Sequence, residues 1–145
     1  MKIVIATPLY PPQIGGPATY AARLVEELPA RGHELVVVNF GDVRALPRGI
    51  RHVVYAWRLF RATKRARVIF AQDAASVGLP ACVIARLRGL PLVIRVPGDF
   101  AWEQGRQRFG VTDSIDAFQE RRHSCGVEVL KRLQAVVARR ADRVI

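Results

Sequence analysis

Residues 2–7 read Lys-Ile-Val-Ile-Ala-Thr, and residues 34–40 read Glu-Leu-Val-Val-Val-Asn-Phe. Both runs are short, β-branched and continuously apolar rather than alternating. That pattern suits strands buried on both faces of a parallel sheet. Between them lie a loop rich in proline and glycine (Pro8, Pro11, Pro12, Gly15, Gly16, Pro17) and a segment from Ala18 to Ala30. In that segment Ala21, Leu24, Val25 and Leu28 recur at i, i+3, i+4 and i+7, one face of an amphipathic helix. Gly32 stands where a helix stops. Strand, loop, helix and strand make a βαβ unit, which crosses over right-handedly.

Working outward, the alternation continues. Gly41 to Gly49 reads as loop. Val53 to Arg65 reads as a helix with Val53, Trp57 and Phe60 on one face and Arg58, Arg61 and Arg65 in a neighbouring stripe. Arg67 to Gln72 is a strand, Val77 to Leu87 a helix stopped by Gly89, and Pro91 to Val96 a strand broken by Pro97-Gly98. Phe100 to Phe109 is irregular or helical. Asp113 or Ser114 can cap a helix through Ile115 and Phe118. Val127 to Arg140 is amphipathic, and Arg143-Val144-Ile145 opens a further strand. No repeat or low-complexity tract interrupts the pattern. The fold class expected is α/β: a Rossmann-like, doubly wound parallel sheet with helices on both faces.

Composition narrows the function. With 145 residues, half of them apolar and 24% charged, the chain has the makings of one globular domain with its own core. No apolar run approaches the roughly 20 residues that span a bilayer. Met1-Lys2 leads straight into the first strand, without a signal peptide's long apolar region. A cytoplasmic protein is therefore expected. Cys82 and Cys125 form no metal-binding pair, and His33, His52 and His123 are scattered, so no metal site is signalled. The net charge of +11 points to anionic partners.

In open parallel sheets ligands bind beyond the carboxyl ends of the strands. Three loops leave such ends. Pro8 to Pro17 delivers Gly15-Gly16 to a helix start, where free amides favour an anion; the alternative is a turn that merely needs glycine. Gln72 to Ser76 carries Asp73, either a sugar-hydroxyl contact or a helix cap. Pro97 to Glu103 carries Asp99, Trp102 and Glu103. Carboxylates there can hold or deprotonate a hydroxyl, and Trp102 can stack on a sugar ring. Alternatively Asp99 caps a turn and Trp102 packs beneath the loop. The basic helix with Trp57, Arg58, Arg61 and Arg65 suits an anionic membrane surface, or a core-packed helix with one charged side.

Taken in order, Thr7-Pro8-Leu9-Tyr10-Pro11-Pro12, then Gly15-Gly16, then Arg31-Gly32-His33-Glu34-Leu35, resembles the opening of family 4 glycosyltransferases. Gln72-Asp73, Gly78-Leu79-Pro80 and Val96 to Glu103 resemble a bacterial subgroup of that family. Ala141 to Ile145 resembles the last strand before its domain boundary. The resemblance implies that residues 1–145 are the acceptor-side N-terminal domain of a retaining GT-B enzyme, one half of that fold. The other half, the C-terminal donor-binding domain, lies outside this sequence, so the fragment alone is expected to be inactive. It implies a nucleotide-sugar donor, a glycan or lipid-linked acceptor, a role in cell-surface polysaccharide or glycolipid synthesis, and no cofactor or metal. Carried over, Gly15 and Gly16 approach the donor diphosphate. Many relatives place a histidine in the loop that here reads Pro97-Gly98-Asp99. Asp99 is therefore the catalytic candidate, with Glu103 second, and Tyr10, Asp73 and Trp102 are candidate acceptor or sugar contacts.

Other classes fit less well. A dehydrogenase needs GxGxxG after the first strand, which is missing. Nucleic-acid binding would rest on charge alone, so no nucleic-acid partner is expected. A non-enzymatic basic module lying peripherally on anionic lipid stays open as the alternative.

Overall fold

A computed structural model describes all 145 residues. Five parallel strands form one sheet in the order β2-β1-β3-β4-β5. They are β1 (Lys2–Thr7), β2 (Glu34–Asn39), β3 (Val68–Ala71), β4 (Leu92–Ile94) and β5 (Arg143–Val144). The helices are α1 (Gly16–Glu27), α2 (Arg48–Ala62), α3 (Gly78–Arg88), α4 (Phe100–Arg108), α5 (Ile115–Glu120) and α6 (Cys125–Arg140). This is the doubly wound, Rossmann-like architecture expected from the alternation. The chain runs outward from β1 to β2, then crosses back to β3 and onward, so the direction of winding reverses between β1 and β3.

Parity along the strands divides the core. Val4 and Ala6 of β1, Ile69 and Ala71 of β3, and Leu92 and Ile94 of β4 join one large cluster with Tyr55 and Leu59 of α2, Ala81 and Ile84 of α3, and Val137 of α6. Three helices therefore cover this face. The intervening residues point the other way, toward α1, where Tyr20 lies 6.1 Å from the Phe70 ring. Only α1 covers that side, and Ile3, Val37, Val68 and Val93 stay half-buried. A smaller cluster of Ala101, Phe118 and Val127 joins α4, α5 and α6. Lys131 ties it down: its Nζ donates to the Phe118 and Arg121 carbonyls at 2.6 and 3.0 Å.

The boundaries differ from the sequence expectation in informative places. Phe40 leaves β2 and opens a short 3₁₀ turn to Val43, because the Asn39 side chain accepts from the Gly41 amide and bends the chain. The expected loop to Gly49 is partly helical, since α2 already begins at Arg48. That shift matters for its faces. Tyr55 and Leu59, one turn apart, are fully buried, whereas Val53 and Trp57 face outward. The apolar face read from the sequence is thus the solvent face. Of the residues from Phe100 to Phe109, Phe100–Arg108 form helix α4, and Ser114 rather than Asp113 caps α5. Gly32 has the positive φ of 79° expected at its stop position. No helix is long and apolar enough to cross a membrane.

Candidate functional site

An open cleft of about 970 Å³ lies at the carboxyl ends of the strands, over the reversal point. Pro8 and Leu9 enter it from β1, Gln72 and Asp73 from β3, and Val96 to Gly98 from β4. Pro17 at the start of α1 forms part of its rim. The opposite walls come from Arg44, from Arg51 and His52 of α2, and from Phe100, Glu103 and Arg108 of α4. Leu79 and Val83 of α3 and Leu133 of α6 make an apolar side. An apolar wall with a few converging polar groups, at a switch point, is the usual character of a small-molecule site.

The glycine loop borders this cleft through Pro8, Leu9 and Pro17, while Gly15 and Gly16 do not line it, and Ile14, Ala18 and Thr19 line a separate, smaller depression. Gly15 has φ 157° and ψ 162°, a conformation held almost only by glycine. A Cβ on it would also meet the Leu9 side chain at 2.9 Å. Gly16 is exposed, and a Cβ there would meet nothing within 4 Å. No side chain caps α1, and the first backbone bond of this turn runs from the Thr19 amide to the Gly15 carbonyl. Pro17 has no N–H, so the Gly16 and Ala18 amides are the donors left without a protein partner. The dipole of the helix adds partial positive charge at the same end. Tyr10 shapes the loop rather than the cleft: its amide donates to the Gln13 side chain, and its carbonyl accepts from the Gln13 amide.

The acidic candidates separate. The Asp73 carboxylate lines the cleft but is occupied: it accepts from the Ala75 and Val77 amides at 2.8 and 3.1 Å and from the Ser76 hydroxyl. It thereby turns the chain into α3. Asp99 caps α4, accepting from the Trp102 amide at 3.0 Å and from the Gln119 side-chain amide. Trp102 donates its indole N–H to the Asp113 carbonyl and packs on the small cluster. Neither Asp99 nor Trp102 lines the cleft. Glu103 does, and no hydrogen bond or ion pair engages its carboxylate, which rests against Gly98.

Five cleft residues were not singled out from the sequence as site residues. Gln72 is fully buried at the end of β3, and both atoms of its side-chain amide lack a partner. Such a group costs stability unless something satisfies it. Arg44, Arg51 and Arg108 approach from two walls and join no ion pair. His52 stacks on Phe40 at 5.2 Å between centroids. Burial and the neighbouring Arg51 charge hold its pKa below the ordinary 6.5, so the imidazole is neutral near pH 7. In the linear sequence only Gln72, beside Asp73 at a strand end, falls in a recognisable stretch. They converge because α2, crossing from β2 to β3, brings Arg51 and His52 over the end of β3 where Gln72 lies, and α4 brings Arg108 to the opposite wall. No three His, Cys, Asp or Glu side chains stand close enough together to hold a metal ion.

Fold and cleft together define a doubly wound α/β domain with a ligand-sized site at its switch point. No protein-family model matches the chain, and no curated protein matches it.

Proposed function

We propose that the chain is the acceptor-side half of a retaining GT-B glycosyltransferase, acting on a nucleotide-sugar donor bound by a second domain. The observation that carries this reading is the open start of α1. Gly16 leaves space ahead of unpaired amides beside the cleft, next to Pro17 of its lining, a setting that favours a diphosphate approaching from across an interdomain gap. The resemblance of residues 1–35 to the family's opening supports the same assignment.

In the reaction, the bond between the sugar's anomeric carbon and the diphosphate oxygen breaks, and a bond to the acceptor oxygen forms. The diphosphate departs with the electron pair, and the acceptor hydroxyl loses its proton. Gly15 and Gly16 let the α1 amides face the charge that grows on the leaving group. Glu103, with a free carboxylate, and His52, with a neutral imidazole, are the cleft groups able to take the proton. Asp73 and Asp99 hold the loops on which acceptor contacts depend.

The test joins the chain to a nucleotide-sugar-binding GT-B half and follows release of nucleoside diphosphate. Replacing Gly16 by valine leaves the fold intact, because the space is empty, but crowds the diphosphate. Turnover is expected to fall by about 10²-fold, the scale of losing an oxyanion donor. Unchanged turnover refutes the loop's role.

A second reading is a basic module on an anionic membrane surface, and the exposed face of α2 favours it. Val53 is 69% and Trp57 56% exposed, and the Arg61 guanidinium lies 4.8 Å above the Trp57 ring. Arg58 lies on the same helix, 3.8 Å from the Asp42 carboxylate, whereas Arg65, expected on that helix, falls beyond its end in a turn with φ 62°. Flotation with vesicles containing or lacking anionic lipid decides it: equal recovery in both removes this reading.

A further inference from the structure

We infer that the cleft is built for an acceptor carrying a phosphate monoester, with the phosphate held by Arg51 and Arg44 and a hydroxyl of the same molecule read by Gln72. The inference rests on the acceptor role proposed above and adds the chemical class of that acceptor.

Two independent observations carry it. The first is charge. Arg44, Arg51 and Arg108 line one cleft without a carboxylate partner; of its two acidic residues Asp73 is tied into its own loop, which leaves Glu103 as one free carboxylate against three arginines. The Arg51 Nε is buried and unpaired, while its guanidinium carbon lies 5.8 Å from the Phe40 ring centroid. A buried guanidinium donor without an acceptor is unfavourable, and a phosphate offers several oxygens in the geometry a guanidinium fits. The second is Gln72. It has no exposed surface, faces the cleft from the end of β3, and keeps both a donor and an acceptor unsatisfied. An amide with both functions free matches a hydroxyl, which both donates and accepts. Phosphate at one end and hydroxyl at the other describe a phosphorylated sugar or polyol, free or as a lipid headgroup.

The experiment titrates the ¹⁵N-labelled chain, with no donor domain, by nuclear magnetic resonance. The probes are inorganic phosphate, a hexose 1-phosphate and the neutral hexose. About 0.15 M salt screens diffuse attraction beyond roughly 8 Å. The hexose phosphate is expected to shift the amides of Arg51, His52 and Gln72 to Ser76 saturably. It should bind at least about tenfold more tightly than either fragment, or about 1.4 kcal/mol. Arg51→Gln should weaken it by about tenfold or more, while Gln72→Leu should erase its advantage over inorganic phosphate without weakening the latter. A short-chain lipid bearing the same phosphomonoester, used below its micelle concentration, separates the sources: tighter binding than the free sugar phosphate assigns a lipid headgroup, equal binding a soluble acceptor.

Shifts confined to Gly16 to Thr19, non-saturating shifts spread along the arginine-rich helices, or equal binding of the neutral hexose would each overturn the proposal. Because no turnover is measured, these outcomes are separate from those of the glycosyl-transfer test: phosphate can bind this cleft even if the joined halves transfer no sugar.

Discussion

The Tyr55 hydroxyl donates to the Val38 carbonyl at 3.1 Å, with both residues buried. This one bond pins α2 to the end of β2 and fixes its rotation. Arg51 lies one turn before Tyr55 and Leu59 one turn after it, so the row that is buried at its centre opens into the cleft at its amino end. The same rotation turns Val53 and Trp57 to the outside.

Tyr55→Phe should destabilise the fold by about 1–2 kcal/mol, because the Val38 carbonyl is left buried without a donor. Chemical denaturation measures this. Burial, with Asp73 and Asp42 nearby, also pushes the Tyr55 pKa well above its ordinary 10. Above pH 10 the unfolded chain therefore loses this proton while the folded chain keeps it. The contribution is fully present below pH 10 and is lost as pH rises. The denaturation midpoint of the parent should fall more steeply above pH 10 than that of Tyr55→Phe.

Gly78 begins α3 directly against the Asp73 carbonyl, which occupies the place of a Cβ. Gly78→Ala must move backbone rather than a flexible side chain, and should cost about 1–3 kcal/mol. Gly49→Ala is the control: its Cβ meets nothing within 4 Å, and alanine within a helix should be neutral or gain up to about 1 kcal/mol. Equal thermal midpoints for the two variants would contradict the close approach at Asp73.

For His52, the lowered pKa means that the unfolded chain takes up a proton near pH 6.5 while the folded chain does not. Its contribution to stability is present above pH 6.5 and fades as pH falls toward the folded value. The imidazole resonances should titrate below 6.5 in the folded chain. Arg51→Gln, by removing the neighbouring charge, should move that midpoint upward.

The Glu128 carboxylate accepts from the His123 amide at 3.0 Å and lies 3.6 Å from the Lys131 ammonium. These contacts, the amide first, hold its pKa below the ordinary 4.5. The stabilisation is present above pH 4.5 and is lost as pH falls through the folded value. Amide protection factors at the start of α6 should fall on acidification in the parent. In Glu128→Gln they should be low already at neutral pH and change little with acid.

Much of the fold was legible in the chain's punctuation. The runs at residues 2–7 and 34–40 read as strands and form β1 and β2, although β2, at the sheet's edge, buries only Val38; Gly89 stops α3 as its position requires, whereas α1 already ends at Glu27 and Gly32 closes the 3₁₀ turn that follows. The face of α2 was not legible. Val53, Trp57 and Phe60 repeat at a helical spacing as good as that of Tyr55 and Leu59. Periodicity cannot choose between two stripes when both are apolar. The Val38 carbonyl chose, and it lies 17 residues away from its donor.

The site divides in the same way. Local chemistry marked the glycine loop and the acidic loops, because glycine pairs and strand-end carboxylates are visible as residue types at known places. It left Asp99 open between a hydroxyl contact and a cap; the structure spends it on capping α4 through the Trp102 amide, with the Gln119 side chain from α5 as a second donor, and leaves Glu103 free in the cleft. Arg51 and His52 carry no sequence signal, and Gln72 was marked only by its place beside Asp73 at a strand end.

Sequence alone determined what is governed by neighbours in the chain: strand and helix types, their order, most of their stops, and hence a doubly wound sheet whose strand-end loops, where the cleft lies, share one edge. Tertiary structure alone decided which side chains meet there. Burial and hydrogen-bond partners are set by residues tens of positions apart, and a pattern read along one dimension does not contain those distances.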